Sequence, residues 1–146
     1  MDNPLETELY RAAARTFEEL GYMLPMPDEE PGERQVDVVA SVAFHGPRHG
    51  RVLVGCPGGL LPALAANMTG EDEVASGVQQ LDALMEVTNV ICGNFLPAVA
   101  GSSHVFRMQA PEVFEAALLP GLGPPRVRTT VVLDEGWAEV MLFIDG

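Results

Sequence analysis

Lysine is absent from this sequence, so its eight basic residues are all arginines, set against 21 acidic residues. The formal net charge is therefore −13 at pH 7. Nucleic acids are bound largely through lysine and arginine contacts with phosphate, and anionic membrane surfaces attract the same side chains. We therefore expect neither a nucleic acid nor a membrane as a partner, whereas a protein with basic groups suits this charge.

Cysteine is scarce, and the spacing of Cys56 and Cys92 predicts neither a disulfide framework nor a zinc site. Cys92 lies among apolar residues and is expected to be a small core side chain. Cys56 precedes Pro57-Gly58-Gly59, where a following helix could lower the pKa of a thiol. No basic partner stands nearby in the sequence, so a buried, unreactive Cys56 is favoured.

The sequence also lacks an uninterrupted apolar run near the ~20 residues that a membrane helix needs. Its first ten residues, MDNPLETELY, are acidic and polar, unlike a secretory signal. Apolar residues make up 47% of the 146 residues, which is typical of a folded globule. We expect one cytoplasmic domain over residues 1–146.

Hydrophobic periodicity predicts helices alternating with β-hairpins. The predicted helices are 3–20, 60–68 and about 75–100, and the predicted strands are 35–44, 51–56, 104–108, 127–133 and 137–144. Residues 25–32 and 120–125 are expected to be loops, and 111–118 fits either one or two helical turns or a loop. The pattern predicts an α+β fold, in which a mostly antiparallel sheet packs against two long helices plus a shorter one.

Two residues should shape the helix ends. Gly21 is expected to end the first helix as the residue after its C-cap. Pro97 has no backbone N–H to donate to the Gly93 carbonyl, which predicts a kink or an early end in the long helix.

One face of the long helix is polar in an unusual way. At about 3.6 residues per turn, four residues fall within roughly 60° of one another. They are Asp82, Glu86, Asn89 and Gly93. Packing a helix requires an apolar stripe, but not a carboxylate and a carboxamide three residues apart beside a glycine. By spacing alone, a solvated surface explains such a face more often than a site does.

The spacing Asp82-x3-Glu86-x2-Asn89, followed by Gly93-Asn94, resembles the signature of the CheX/CheC/FliY family of response-regulator phosphatases. Pro111 lies close to the position of that family's downstream proline. The order of predicted elements is similar to CheX over nearly the whole chain. Members of the CheC and FliY type carry two signature helices, so the single copy here favours a CheX-like protein and a CheC/CheX-like fold.

The resemblance implies a function. The substrate would be a CheY-like receiver phosphorylated on aspartate, and the reaction would be hydrolysis of the acyl phosphate. Asn89 would orient the attacking water, and Glu86 would pair with the receiver's active-site lysine. Asp82, Gly93 and Asn94 would contact the partner. The resemblance further implies a homodimer formed through the sheet and no cofactor of the protein's own, since Mg²⁺ would come from the receiver.

Two other functions fit the same pattern. A docking module of this fold would bind a receiver or a flagellar-switch component without turnover, and an adaptor would act outside motility. A replaced Glu86 or Asn89 would have favoured docking alone. Both residues are intact, which favours the enzyme.

The remaining motifs are weaker candidates. His45 and His49 flank a Gly-Pro-Arg turn, but no carboxylate or cysteine completes a metal set by spacing, so solvated histidines are expected. His104 is expected to be structural. The glycines around Cys56 lack the Gly-Lys-Ser/Thr of a nucleotide-binding P-loop.

Overall fold

The computed structural model describes residues 3–27, 34–70, 76–101 and 103–145. Its helices are α1 (Pro4–Glu19), α2 (Leu61–Thr69) and α3 (Gly77–Ala100). Its strands are β1 (Pro25–Met26), β2 (Val38–His45), β3 (Gly50–Cys56), β4 (Arg107–Met108), β5 (Glu112–Glu115), β6 (Val127–Leu133) and β7 (Gly136–Ile144). Short 3₁₀ segments cover Gly58–Leu60 and Ala116–Leu122.

The strands form one sheet in the order β1-β6-β7-β3-β2-β4, with β5 also paired to β2. Each of these pairings is antiparallel. Both predicted hairpins, β2–β3 and β6–β7, are confirmed. They join through β3 and β7, where Val54 lies opposite Val140.

The three helices pack together, and α3 is the central one. Both α1 and α2 contact α3, while α3 lies against β2 and β3, and α1 lies against β6. Helix α1 begins as predicted, because the Asn3 side chain accepts a hydrogen bond from the Leu5 N–H at 3.0 Å. The predicted α+β class with an antiparallel sheet is confirmed.

Three segments differ from the prediction. Part of the expected loop 25–32 is strand β1, which pairs with β6; residues 28–33 lie outside the described residues. Residues 112–115 form β5, neither a helical turn nor a loop, because they pair with the free edge of β2. A helical turn follows them, since the 3₁₀ segment Ala116–Leu122 takes in the end of 111–118 and the start of the loop expected over 120–125. The strand predicted over 104–108 is shorter and holds only Arg107 and Met108.

The expected roles of Gly21 and Pro97 were also wrong in part. The left-handed residue after α1 is Tyr22, with φ 51°, rather than Gly21. Gly21 serves close packing instead, since a Cβ there would lie 2.8 Å from the Leu64 side chain and 2.9 Å from the Phe17 carbonyl. Helix α3 does not end early at Pro97, for it continues to Ala100.

Candidate functional site on helix α3

The start of α3 is fixed by a capping box. The Gln79 N–H donates to the Ser76 hydroxyl at 3.2 Å, and the Gln79 side chain accepts from the Ser76 N–H at 2.8 Å. These bonds satisfy backbone donors that the first helical turn leaves unpaired. The helix was predicted to start near residue 74 or 75, which lie outside the described residues.

One face of α3 belongs to the core. Its buried residues are Ala83, Leu84, Val87, Thr88, Ile91, Cys92, Phe95 and Leu96. The one polar hydroxyl among them is satisfied, since Thr88 donates to the Leu84 carbonyl at 2.8 Å. By length and hydropathy α3 is capable of crossing a membrane, but this buried face packs against the sheet and the other helices.

The opposite face is solvent-exposed and carries the five residues that the family resemblance identified. They are Asp82, Glu86, Asn89, Gly93 and Asn94. Within the described residues, the Asp82, Glu86 and Asn89 side chains form no hydrogen bond or ion pair. The structure thus brings these groups onto one continuous surface, with their polar atoms available to a partner.

Gly93 leaves open space on this surface. A Cβ at Gly93 would meet only the Met108 sulfur, at an ordinary contact distance of 3.8 Å. Packing therefore does not require glycine here. A glycine inside a helix costs about 0.5–1 kcal/mol relative to alanine, so the fold alone does not account for it, whereas close approach by another molecule would.

Two depressions border the exposed face. Asp82 and Glu86 form the rim of the first, whose apolar floor includes Leu20, Met68 and Ala83. The second is a groove between α1 and the C-terminal half of α3, lined on the α3 side by Asn94, Pro97 and Ala98. The arginines of α1 that line this groove were not singled out in the sequence, because they look there like ordinary solvent-facing residues.

The other candidates do not form a site of comparable definition. The His45 and His49 Nδ1 atoms lie 3.1 Å apart at the exposed end of the β2–β3 hairpin. In the described ranges, no three histidine, cysteine or acidic side chains cluster as metal ligands would. Burial, with a smaller contribution from Asp37, raises the pKa of Cys56 to about 12, as does burial alone for Cys92. Neither thiol is activated.

Known proteins share this architecture. A chemotaxis protein CheX from Desulfovibrio desulfuricans has a TM-score of 0.75 at 19% identity, covering 98% of this chain and all of its own. CheX from Vibrio vulnificus gives 0.74 at 17% identity, with coverages of 99% and 100%. A CheX–CheY–BeF3–Mg complex from Borrelia burgdorferi gives 0.65 at 16% identity, with coverages of 96% and 97%. No curated protein matches the sequence significantly.

These similarities show that the fold is that of CheX- and CheC-like chemotaxis proteins. The family model for the chemotaxis phosphatase CheX matches residues 38–120, which is more than half of the chain. The chain therefore belongs to the CheX family. The matched range includes the whole of α3 and its exposed polar face.

Proposed function

We propose that this protein is a phosphatase that hydrolyses the aspartyl phosphate of a CheY-like receiver. The observation that carries the proposal is the exposed α3 face, where Glu86 and Asn89 project without partners in the described chain beside the open Gly93. Membership of a chemotaxis phosphatase family supports the reaction class. The fold similarity to the CheX of the Borrelia CheX–CheY complex supports a receiver as the partner.

Asn89 orients the attacking water in this mechanism. Phosphoryl transfer needs mainly positioning and electrostatic stabilisation from a protein, and alignment of the reactants supplies much of that effect. A carboxamide can accept from water and donate to an oxygen without carrying charge. A carboxylate in the same place would repel the phosphoryl group.

Glu86 anchors the receiver by pairing with its active-site lysine. The Glu86 carboxylate lies one turn before Asn89 and has no basic partner in the described residues, so the pairing replaces no existing ion pair. Asp82, Gly93 and Asn94 extend the contact along the same face. Mg²⁺ belongs to the receiver and neutralises phosphoryl charge there.

The protein acts in the cytoplasm, where receivers are phosphorylated, and as a homodimer formed through the sheet. The sheet face away from the helices supports such pairing, because Phe143 is only partly buried there and Leu118 in the adjoining segment is 61% exposed. Exposed apolar surface of this kind is typical of protein interfaces. Sedimentation equilibrium tests the dimer, which Leu118→Glu should weaken.

The decisive experiment follows the decay of a CheY-type receiver charged with acetyl phosphate. Wild-type protein should accelerate the decay, whereas Asn89→Ala should reduce this acceleration by a factor of about 10² or more. Asn94→Ala is a matched control on the same helix, and we expect it to change only the apparent affinity.

Binding is measured in parallel, because the alternative function is docking without turnover. Asn89→Ala should retain receiver binding, since Glu86 still anchors the complex. If the wild-type protein binds a phosphorylated receiver but leaves its decay unchanged, the phosphatase proposal is wrong and the protein is a docking module. Turnover that survives in Asn89→Ala would remove the mechanism.

A further inference from the structure

The charges on the helices are distributed unevenly. The three helices contain six acidic residues and only two basic ones. The acidic residues are Glu6, Glu8, Glu18, Glu19, Asp82 and Glu86, and the basic residues are Arg11 and Arg15. Both arginines belong to α1, so the site helix α3 carries no positive charge of its own.

Arg11 and Arg15 border the groove between α1 and α3, opposite Asn94. The two helices run in opposite directions. Leu20, just after α1, lines the same depression as Ala83 in the first half of α3, and Leu5, near the start of α1, lines the same groove as Ala98 near the end of α3. The middle of α1 is therefore beside the middle of α3. At about 1.5 Å per residue, this register places the two arginines close to the level of the turn that bears Asn89.

The guanidinium groups are available to a partner. Arg11 pairs with Glu8 at 3.1 Å and Arg15 with Glu19 at 3.0 Å, both within α1, while the arginine side chains remain 70% and 74% exposed. Exposed ion pairs of this kind contribute about 0–1 kcal/mol. Exchanging either glutamate for a carboxylate of another protein therefore costs little.

A phosphorylated receiver needs such groups. The phosphoryl centre is anionic, and the field of a protein with net charge −13 opposes its approach. We propose that Arg11 and Arg15 form a second contact, which binds acidic side chains on the receiver beside its phosphorylation site while Glu86 and Asn89 engage that site. Charge-assisted bidentate bonds from arginine to carboxylate would fix the orientation of the receiver on α3. This inference rests on the proposed function.

The test replaces both arginines with glutamine, which retains helix propensity and removes charge. Arg11→Gln/Arg15→Gln should raise KM for the phosphorylated receiver about 5- to 20-fold, leave kcat unchanged and flatten the salt dependence of kcat/KM. The matched control is Arg48→Gln/Arg126→Gln, which removes the same charge from the turn between β2 and β3 and from the segment before β6 and should leave KM unchanged. Arg11→Lys/Arg15→Lys should recover part of the loss.

The outcomes separate this inference from the proposed function. If the wild type is active and the α1 and control variants have the same KM, the arginine contact is wrong while the phosphatase stands. A lower kcat at unchanged KM would also overturn it. If the wild type is inactive, its affinity for a receiver held in the phosphorylated form by BeF3 still tests the arginine contact. The dissociation constant of the α1 variant should then exceed that of the control variant by the same factor as expected for KM. Thermal unfolding of each variant establishes that it is folded.

Discussion

Glu86 and Asn89 are exposed neighbours on α3, three residues apart, while Val87 and Thr88 between them are fully buried. The site side chains thus project from a helical turn whose other face is fixed in the core. A functional group on a rigid, packed element keeps its geometry better than one on a loop. Substitutions at Glu86, Asn89 or Gly93 therefore alter exposed positions and leave that packed face intact.

Asn89→Asp tests the need for a neutral group at the catalytic position. The change preserves size and removes only the donor N–H₂ in favour of a negative charge. We expect turnover to fall at least as far as in Asn89→Ala, because the carboxylate also repels the phosphoryl oxygens. Single-turnover dephosphorylation measures this, and wild-type rates in Asn89→Asp would contradict the assigned role.

Glu86→Gln tests the anchor. The receiver lysine would lose its charged partner while the helix keeps its packing, so KM should rise about tenfold and the free energy of unfolding should stay within about 0.5 kcal/mol. Steady-state kinetics and urea unfolding provide the two values. Asp82→Asn, one turn earlier, is the matched variant and should raise KM less. An equal rise would mean that KM depends on the overall negative charge of this face rather than on a specific ion pair between Glu86 and the receiver lysine.

Substitutions at Gly93 test its effects on stability and on receiver binding separately. Gly93→Ala adds a methyl group with room beside Met108, so it should stabilise the fold by about 0.5–1 kcal/mol. Gly93→Phe should fold as well but hinder the approach of a receiver and weaken its binding. Calorimetry and a binding titration measure the two effects. Unimpaired binding by Gly93→Phe would mean that the partner does not approach α3 there.

The buried thiols predict loss of stability in alkali. Burial raises the pKa of Cys56 and Cys92 from 9.0 to about 12, so between these values the unfolded chain has released thiol protons that the folded chain still holds. The free energy of unfolding should therefore fall as pH rises above about 9, by up to about 1.4 kcal/mol per pH unit for each thiol. Urea unfolding at several pH values should show a shallower decline in Cys56→Ala/Cys92→Ala. An unchanged slope would contradict the assignment.

Local pattern in the sequence was sufficient for the hairpins, the helices and the exposed face of α3, because each has a periodicity of 2 or 3.6 over many residues. The four residues of β5 are too few for such a signal, and only pairing with β2 makes them a strand. The position of Gly21 after a helical stretch predicts a helix-ending glycine, whereas its close packing depends on the Leu64 side chain, which is distant in the sequence.

The groove arginines illustrate the same limit. Arg11 and Arg15 follow helical spacing with Glu8 and Glu19, which reads as solvated surface. Their position beside Asn94 depends on how α1 packs against α3, a long-range contact that no local window of sequence contains. Site groups on a single helix were thus accessible from spacing, whereas groups contributed by a second helix were not.

Because Cys92 is buried, its rate of alkylation measures how often helix α3 opens. A neutral, enclosed thiol reacts with an alkylating reagent only when the surrounding structure opens. Since Cys92 lies one turn after Asn89 and Cys56 lies in β3, their two labelling rates compare the opening of the site helix with that of the central sheet. A receiver bound across α3 would slow the alkylation of Cys92. The alkylation rate of Cys56 would then show whether this protection extends to the whole domain.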